Sequence, residues 1–292
     1  MITYKSVQEL VDKALEAGKS ISELVLSDQS LQLETTEKGL YRKMKENFEV
    51  MRQSIKEGLK CGRSPSGLSG GAAQKLRLAV NEGQNIGGRV FSETLVKALA
   101  VAEYNASMGK IVAAPTAGSC GIIPAVLVTI MEEKGLPEDS VVKSLFTAAG
   151  IGLVIANRAS ISGAEGGCQA ECGSASAMAA AAAVELLGGR PCQAGNACAI
   201  ALKNILGLVC DPVAGLVEIP CIKRNAMGAA NALVAAELAL AGIESAIPAD
   251  EVIDAMKSIG ELMPESLKET AKGGLAATPS AKRIARQLFR RG

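Results

Sequence analysis

One stretch constrains the fold more than any other: between Glu171 and Glu185 the sequence CGSASAMAAAAAV carries no charge and is mostly alanine. A helix that is apolar on every side has no face for water, so other elements must surround it. Alanine side chains let those neighbours approach closely. Aromatic residues cannot fill the interior, because the chain has no Trp, three Tyr and four Phe. The core is therefore built from Ala, Leu, Ile, Val and Met, which suits tightly packed helices. No alternating strand pattern or internal repeat interrupts this, and the expected class is mostly α.

Along the chain, residues 1–60 form a charged N-terminal helical segment, with Leu40, Met44, Phe48, Met51, Ile55 and Leu59 on one face. This segment is expected to pack on a catalytic unit spanning 61–292. CGRSPSGLSGG (Cys61 to Gly71) breaks the helical pattern and reads as an exposed loop. A helix through Leu95, Leu99, Ala102 and Ala106 follows, with Gly109 expected at its left-handed cap. The uncharged run Ile111 to Met131 has the length of a membrane span. Pro115, Gly118, Gly121 and Pro124 interrupt it, so it is expected to be a turn entering a buried helix. Gly195 to Gly242 should give helix, turn, short extended piece and helix, broken at Asp211-Pro212 and Pro220.

The net charge of +1 gives no field that would favour nucleic acid or an anionic membrane as partner. The N-terminal MITYKSVQELVDKALEAGKS lacks the apolar core of a secretion signal, so the cytoplasm is the expected compartment. There, eight cysteines point to metal or reactive thiols rather than disulfides. The chain has no histidine, which removes the usual general base near neutral pH.

Cys168, Cys210 and Cys221 sit beside loop signals, in GGCQA, LVCDP and IPCIK. Three converging thiolates would leave one iron of an iron–sulfur cluster open to substrate, although a buried cysteine is more often a small hydrophobe. Cys192 and Cys198, near a helix start, fit the core, and Cys172 stays undecided. In the loop, Ser64, Ser66 and Ser69 offer hydroxyls around Gly67, Gly70 and Gly71, an arrangement for an anion nest or a flexible linker. PTAGSCG, with Thr116, Ala117 and Ser119, has the same two readings. Lys203, Lys223 and Arg224 are charges in apolar surroundings.

SISGAEGGCQAECG, LGLVCDPVAGLVEIPCIKRNA, APTAGSCGIIPAVL and ETAKGGLA together resemble the α subunit, or catalytic domain, of iron–sulfur-dependent L-serine dehydratases, over roughly residues 60–276. The resemblance implies a mostly helical domain holding a [4Fe–4S] cluster on Cys168, Cys210 and Cys221, without pyridoxal phosphate. L-Serine would bind the open iron and lose water, and the enamine product would hydrolyse to pyruvate and ammonia. The substrate carboxylate is assigned to Ser64, Ser66, Gly67, Ser69 and Gly70 of the loop and Thr116, Ala117 and Ser119 of the turn.

Two features depart from single-chain members of that family. Those end in a cysteine soon after the GGLA motif, whereas this chain continues through ATPSAKRIARQLFRRG. Their second domain, with its Ser-Ser-Ser-His motif, is also missing here, which implies a separate β subunit that supplies the catalytic base. Glu165, Glu171, Lys203 and Lys223 are the candidates within the chain, each needing a large pKa shift. The competing readings are an iron–sulfur lyase of the cysteine desulfidase type, a non-catalytic iron–sulfur redox protein, and a purely structural helical subunit.

Overall fold

The computed structural model describes residues 4–290, which form helices joined by loops and short turns; no sheet forms among the described residues. The uncharged stretch is α9 in a chain-order series whose first members are α1 (Val7–Glu16), α2 (Ile21–Gln32) and α3 (Glu37–Gly58). Each starts at a hydroxyl that accepts a backbone N–H of the first turn: Ser6 from Glu9, Ser20 from Glu23, and Thr36 from Gly39. The Glu23 carboxylate returns the bond to the Ser20 N–H, a reciprocal cap. On α3, Phe48, Met51 and Ile55 are buried as the periodicity predicts.

After the serine-rich loop come α4 (Ala72–Asn81) and α5 (Gly88–Ala106). The left-handed residue beyond α5 is Met108, with φ +62°, and not Gly109 as the sequence suggests. Gly109 is needed for space, since a Cβ there would lie 2.4 Å from the Tyr104 ring. The proline- and glycine-rich run gives a turn and then α6 (Ile122–Lys134), buried from Ile122 to Ile130. Next is α7 (Glu138–Arg158), long and apolar enough by length and composition to cross a membrane, but with much of its surface buried in this core.

A short α8 (Gly163–Gly166) and a π-helical turn (Gln169–Gly173) lead into α9 (Ser174–Leu186), buried from Ser174 to Val184. It is ringed by α6, α7, α10 (Pro191–Lys203) and α11 (Cys221–Leu240). Its alanines let these neighbours close in, as the missing charges require. One hydrophobic core joins this ring to Tyr4, Val7 and Leu10 near the N-terminus and to Val252 and Met256 of α12 (Ala249–Leu262). The last helix among the described residues is α13 (Pro279–Phe289), capped by Thr278. Between α10 and α11 the extended piece is short: Cys210 makes an isolated parallel bridge with Lys268.

Candidate functional site

The first turn of α11 is the point where the separate motifs meet. Its residues Cys221 to Asn225 come from IPCIKRN, and Arg224 and Asn225 each reach a different segment. Asn225, 1% exposed, accepts from the Gly121 N–H at 2.8 Å and donates to the carbonyls of Gly118 (2.6 Å) and Cys221 (3.0 Å). It fastens the PTAGSCG turn to the helix. Arg224 donates to Asp211 Oδ1 at 2.9 Å and to the Val209 carbonyl at 2.8 Å, so it grips the strand-like piece around Cys210. Asp211 Oδ2 in turn accepts from the Leu275 N–H at 2.7 Å, inside the GGLA motif.

Glu218, three residues before Cys221, accepts hydroxyls from Ser64 (2.7 Å), Ser66 (2.6 Å) and Ser69. The loop is therefore not an exposed linker: Ser64 is 5% exposed and Glu218 7% exposed. The helix N-terminus that follows it is also filled from within the chain. Glu103, buried on α5, accepts from the N–H groups of Ala72 (2.8 Å) and Ala73 (3.1 Å).

Against this frame lie the thiols. Sγ of Cys168, Sγ of Cys210 and a carboxylate oxygen of Glu171 lie within 4.8 Å of one another. Cys168 is buried just before the π-helical turn, and Glu171 and Cys172, three and four residues on, share its helical face. Hydrogen bonds from Cys172 and Cys210, with Arg224 adding positive charge, hold the Cys168 thiol well below its ordinary range. The neighbours shift the other way. The bond to Cys168 and burial raise Cys172 and Cys210, and burial with the Cys168 charge pushes Cys221 up to about 12. One site thus carries one favoured thiolate and three thiols that a metal would have to deprotonate.

Two carboxylates border the thiols. Burial pushes Glu171 up to about 7, reinforced by the charges of Cys168 and Glu269 and opposed by the Thr116 hydroxyl that donates to it. A Cβ on Gly163 would lie 3.0 Å from Cys210 Sγ and 3.5 Å from oxygens of both Glu171 and Glu269, so glycine leaves the space in which these groups converge. Soft sulfur donors from three segments, buried and with one biased to thiolate, fit an iron–sulfur cluster; Cys168, Cys210 and Cys221 could hold it, with Cys172 alongside.

The sequence-derived residues divide between two places. Thr116 and Ser119, 3.1 Å apart at their hydroxyls, adjoin Glu171 and hence the thiols, while Ala117 is exposed at the rim. Ser64, Ser66 and Ser69 converge on Glu218, with left-handed turns at Gly67, between Ser66 and Ser69, and at Gly70, just after Ser69. Cys198 is fully buried in α10 and Cys192 half-buried at its start, apart from the thiol cluster. Lys203 and Lys223 are exposed, the former bonded to Ser245, and Glu165 is exposed on α8. Of the four in-chain base candidates, Glu171 alone touches the cluster of thiols. Sequence reasoning missed Asp211, Glu218, Asn225 and Glu269. A charged residue isolated among apolar ones close to Cys210 and Cys221 is the signal that could have found Asp211 and Glu218.

A family model described as serine dehydratase alpha chain matches residues 16–276. The probable L-serine dehydratase alpha chain of Bacillus subtilis (strain 168) is 49% identical over 98% of this chain and 95% of its own length. The L-serine dehydratase alpha chain of Peptoniphilus asaccharolyticus is 45% identical over 98% of this chain and 99% of its own. An L-serine dehydratase of Streptomyces coelicolor is 44% identical over 94% of this chain, which spans 60% of that longer relative.

Proposed function

Starting from the fact that the chain belongs to the serine dehydratase alpha chain family, we propose that it eliminates water from L-serine, giving pyruvate and ammonia, on a [4Fe–4S] cluster held by Cys168, Cys210 and Cys221. The observation that carries the cofactor reading is the meeting of Cys168, Cys210 and Glu171 within 4.8 Å, with Cys221, at the start of α11, near enough to feel the charges of Cys168 and Glu171. A bound cluster with one iron lacking a protein thiolate supplies a Lewis acid for the leaving hydroxyl.

The remaining tasks fall to the protein. The Thr116–Ser119 turn, fixed by Asn225, offers hydroxyls at the edge of the thiol site for the substrate carboxylate and hydroxyl. Arg224 keeps positive charge near the thiolates, and the buried surroundings exclude bulk water. A proton must leave Cα, which needs a positioned base. The chain has no histidine, and about two-fifths of a longer relative's length lies outside the stretch it shares with this chain, so a partner chain of that origin is proposed to supply the base. The reaction is cytoplasmic and needs no pyridoxal phosphate in this reading.

The contact between Glu171 and the thiols favours one second reading, in which this carboxylate takes the proton itself. The experiment is to reconstitute the chain anaerobically with iron and sulfide and assay pyruvate formation from L-serine, with and without a β chain. Turnover that requires the β chain and survives Glu171→Gln supports the partner base. Full turnover by the chain alone, abolished in Glu171→Gln, assigns the base to Glu171. Release of sulfide from L-cysteine with no pyruvate from L-serine would overturn the choice of substrate.

A further inference from the structure

We infer that Glu218 is a positioning residue, and that Ser64, Ser66 and Ser69 act through it to fix Cys221 rather than by touching substrate. The argument is a count of protons. Each serine hydroxyl has one hydrogen to donate. The three are directed at the two oxygens of Glu218: Ser64 and Ser69 at Oε2, Ser66 at Oε1. Two of the three oxygens are engaged as well, for the Leu68 N–H donates to Ser66 Oγ at 3.0 Å and the Ser69 N–H to Ser64 Oγ at 3.3 Å. While Glu218 is in place, none of the three has a hydrogen left for a second carboxylate.

The carboxylate has reason to stay. It is 7% exposed, and among the described residues the contacts that compensate its burial are these hydroxyls rather than a lysine or arginine. Removing it from the loop without another donor set would leave a buried charge unsatisfied. The loop therefore behaves as a receptor for a carboxylate of its own chain, seated in the position that the serine-rich sequence suggests for a substrate.

The backbone shows what the clasp achieves. The Glu218 carbonyl accepts the Ile222 N–H at 3.1 Å, an early helical bond of α11, and the Ile219 carbonyl accepts the Val213 N–H at 2.8 Å. Glu218 thus joins the serine loop to the peptide that places Cys221 at the first position of α11. Pulling Glu218 out of the loop frees that turn, and Cys221 moves with it.

This inference rests on the geometry of Cys221 and does not require a bound cluster, so it is tested on the metal-free chain under anaerobic, reducing conditions. Alkylation by iodoacetamide is followed cysteine by cysteine by mass spectrometry in the parent chain, Glu218→Gln, Ser66→Ala and Ser66→Ala/Glu218→Gln. Circular dichroism confirms that each is folded at the labelling temperature, and Cys192 serves as the internal reference. The expected result is labelling of Cys221 that is about tenfold faster in both single variants. The double variant should label no faster than the faster single one, because both changes break the same clasp. Unchanged Cys221 labelling in Glu218→Gln and Ser66→Ala overturns the proposal. So does a rise in KM for L-serine in Ser66→Ala, measured in the assembled enzyme, with Cys221 labelling at the parent rate; that result would return the loop to direct substrate binding. The labelling result does not depend on whether the reaction is serine dehydration, so its failure and the failure of that reading are distinguishable.

Discussion

Asn225→Ala tests whether the first turn of α11 organises the site. The side chain is 1% exposed and makes three bonds, and two of its partners lie in the turn that carries Thr116 and Ser119. Truncation leaves the Gly121 N–H and the Gly118 carbonyl buried without a partner; the Cys221 carbonyl retains its place in the helix. Each orphaned group costs about 1–3 kcal/mol, so a loss near 4 kcal/mol is expected. For a chain of this size that corresponds to a fall in Tm of roughly 10 °C, at about 2–4 °C per kcal/mol. Asn225→Asp sharpens the test. It keeps an acceptor for Gly121 but turns a second acceptor toward the Gly118 carbonyl, so it should be no more stable than the alanine variant. Thermal unfolding of the metal-free chain by circular dichroism, beside KM for L-serine in the assembled enzyme, reads both consequences. A Tm within 1 °C of the parent in Asn225→Ala, or an aspartate variant as stable as the parent, would refute the reasoning.

Three further substitutions examine other parts of the account. Ala180→Leu, at a fully buried point of α9, overpacks the ring of helices and should lower stability by about 1–3 kcal/mol in urea unfolding; a neutral result would mean that α9 is not closely surrounded. Gly274→Ala places a Cβ 2.4 Å from Asp211 Oδ2 at a backbone φ of +56°, so it should displace Asp211 from Arg224 and weaken iron retention as well as stability. Iron content and Tm equal to the parent would contradict that link. Glu103→Ala leaves the Ala72 and Ala73 N–H groups without their acceptor and should cost about 1–3 kcal/mol, while Glu103→Gln recovers part of the loss. Equal unfolding midpoints for alanine, glutamine and parent would show that the helix start is capped by water.

Much of the fold was legible because it follows from the absence of charge. A chain that must bury α9 on every side needs helices around it, and the three- and four-residue spacing of Phe48, Met51 and Ile55 shows which face of α3 turns inward. Of the three motif cysteines, Cys168 and Cys210 meet, with Glu171 as the third member of the group. What the sequence hides is which side chain answers which. Ser64, Ser66 and Ser69 look like an anion receptor, and they are one; their anion, Glu218, lies about 150 residues away in the chain. Local pattern carries no information about such a partner. Gly109 was misassigned for a similar reason: the ring of Tyr104, and not a left-handed backbone, excludes a side chain there. Glu171 is set apart from the other acidic residues of the sequence by its helical spacing of three from Cys168, which places its carboxylate on that thiol.

The central claim is that Cys168, Cys210 and Cys221 hold a [4Fe–4S] cluster with one iron left for the substrate. The most direct measurement is Mössbauer spectroscopy of the 57Fe-reconstituted, anaerobic enzyme assembled with its β chain, recorded with and without L-serine, beside iron and sulfide analysis of the three single Cys→Ser variants and of Cys198→Ser. The account predicts four irons and four sulfides in the parent and in Cys198→Ser, and loss of the cluster in each of the other three. It also predicts that one iron in four changes its isomer shift and quadrupole splitting when L-serine is added. A spectrum unaltered by L-serine, or a cluster that survives replacement of Cys168, Cys210 or Cys221, would contradict it.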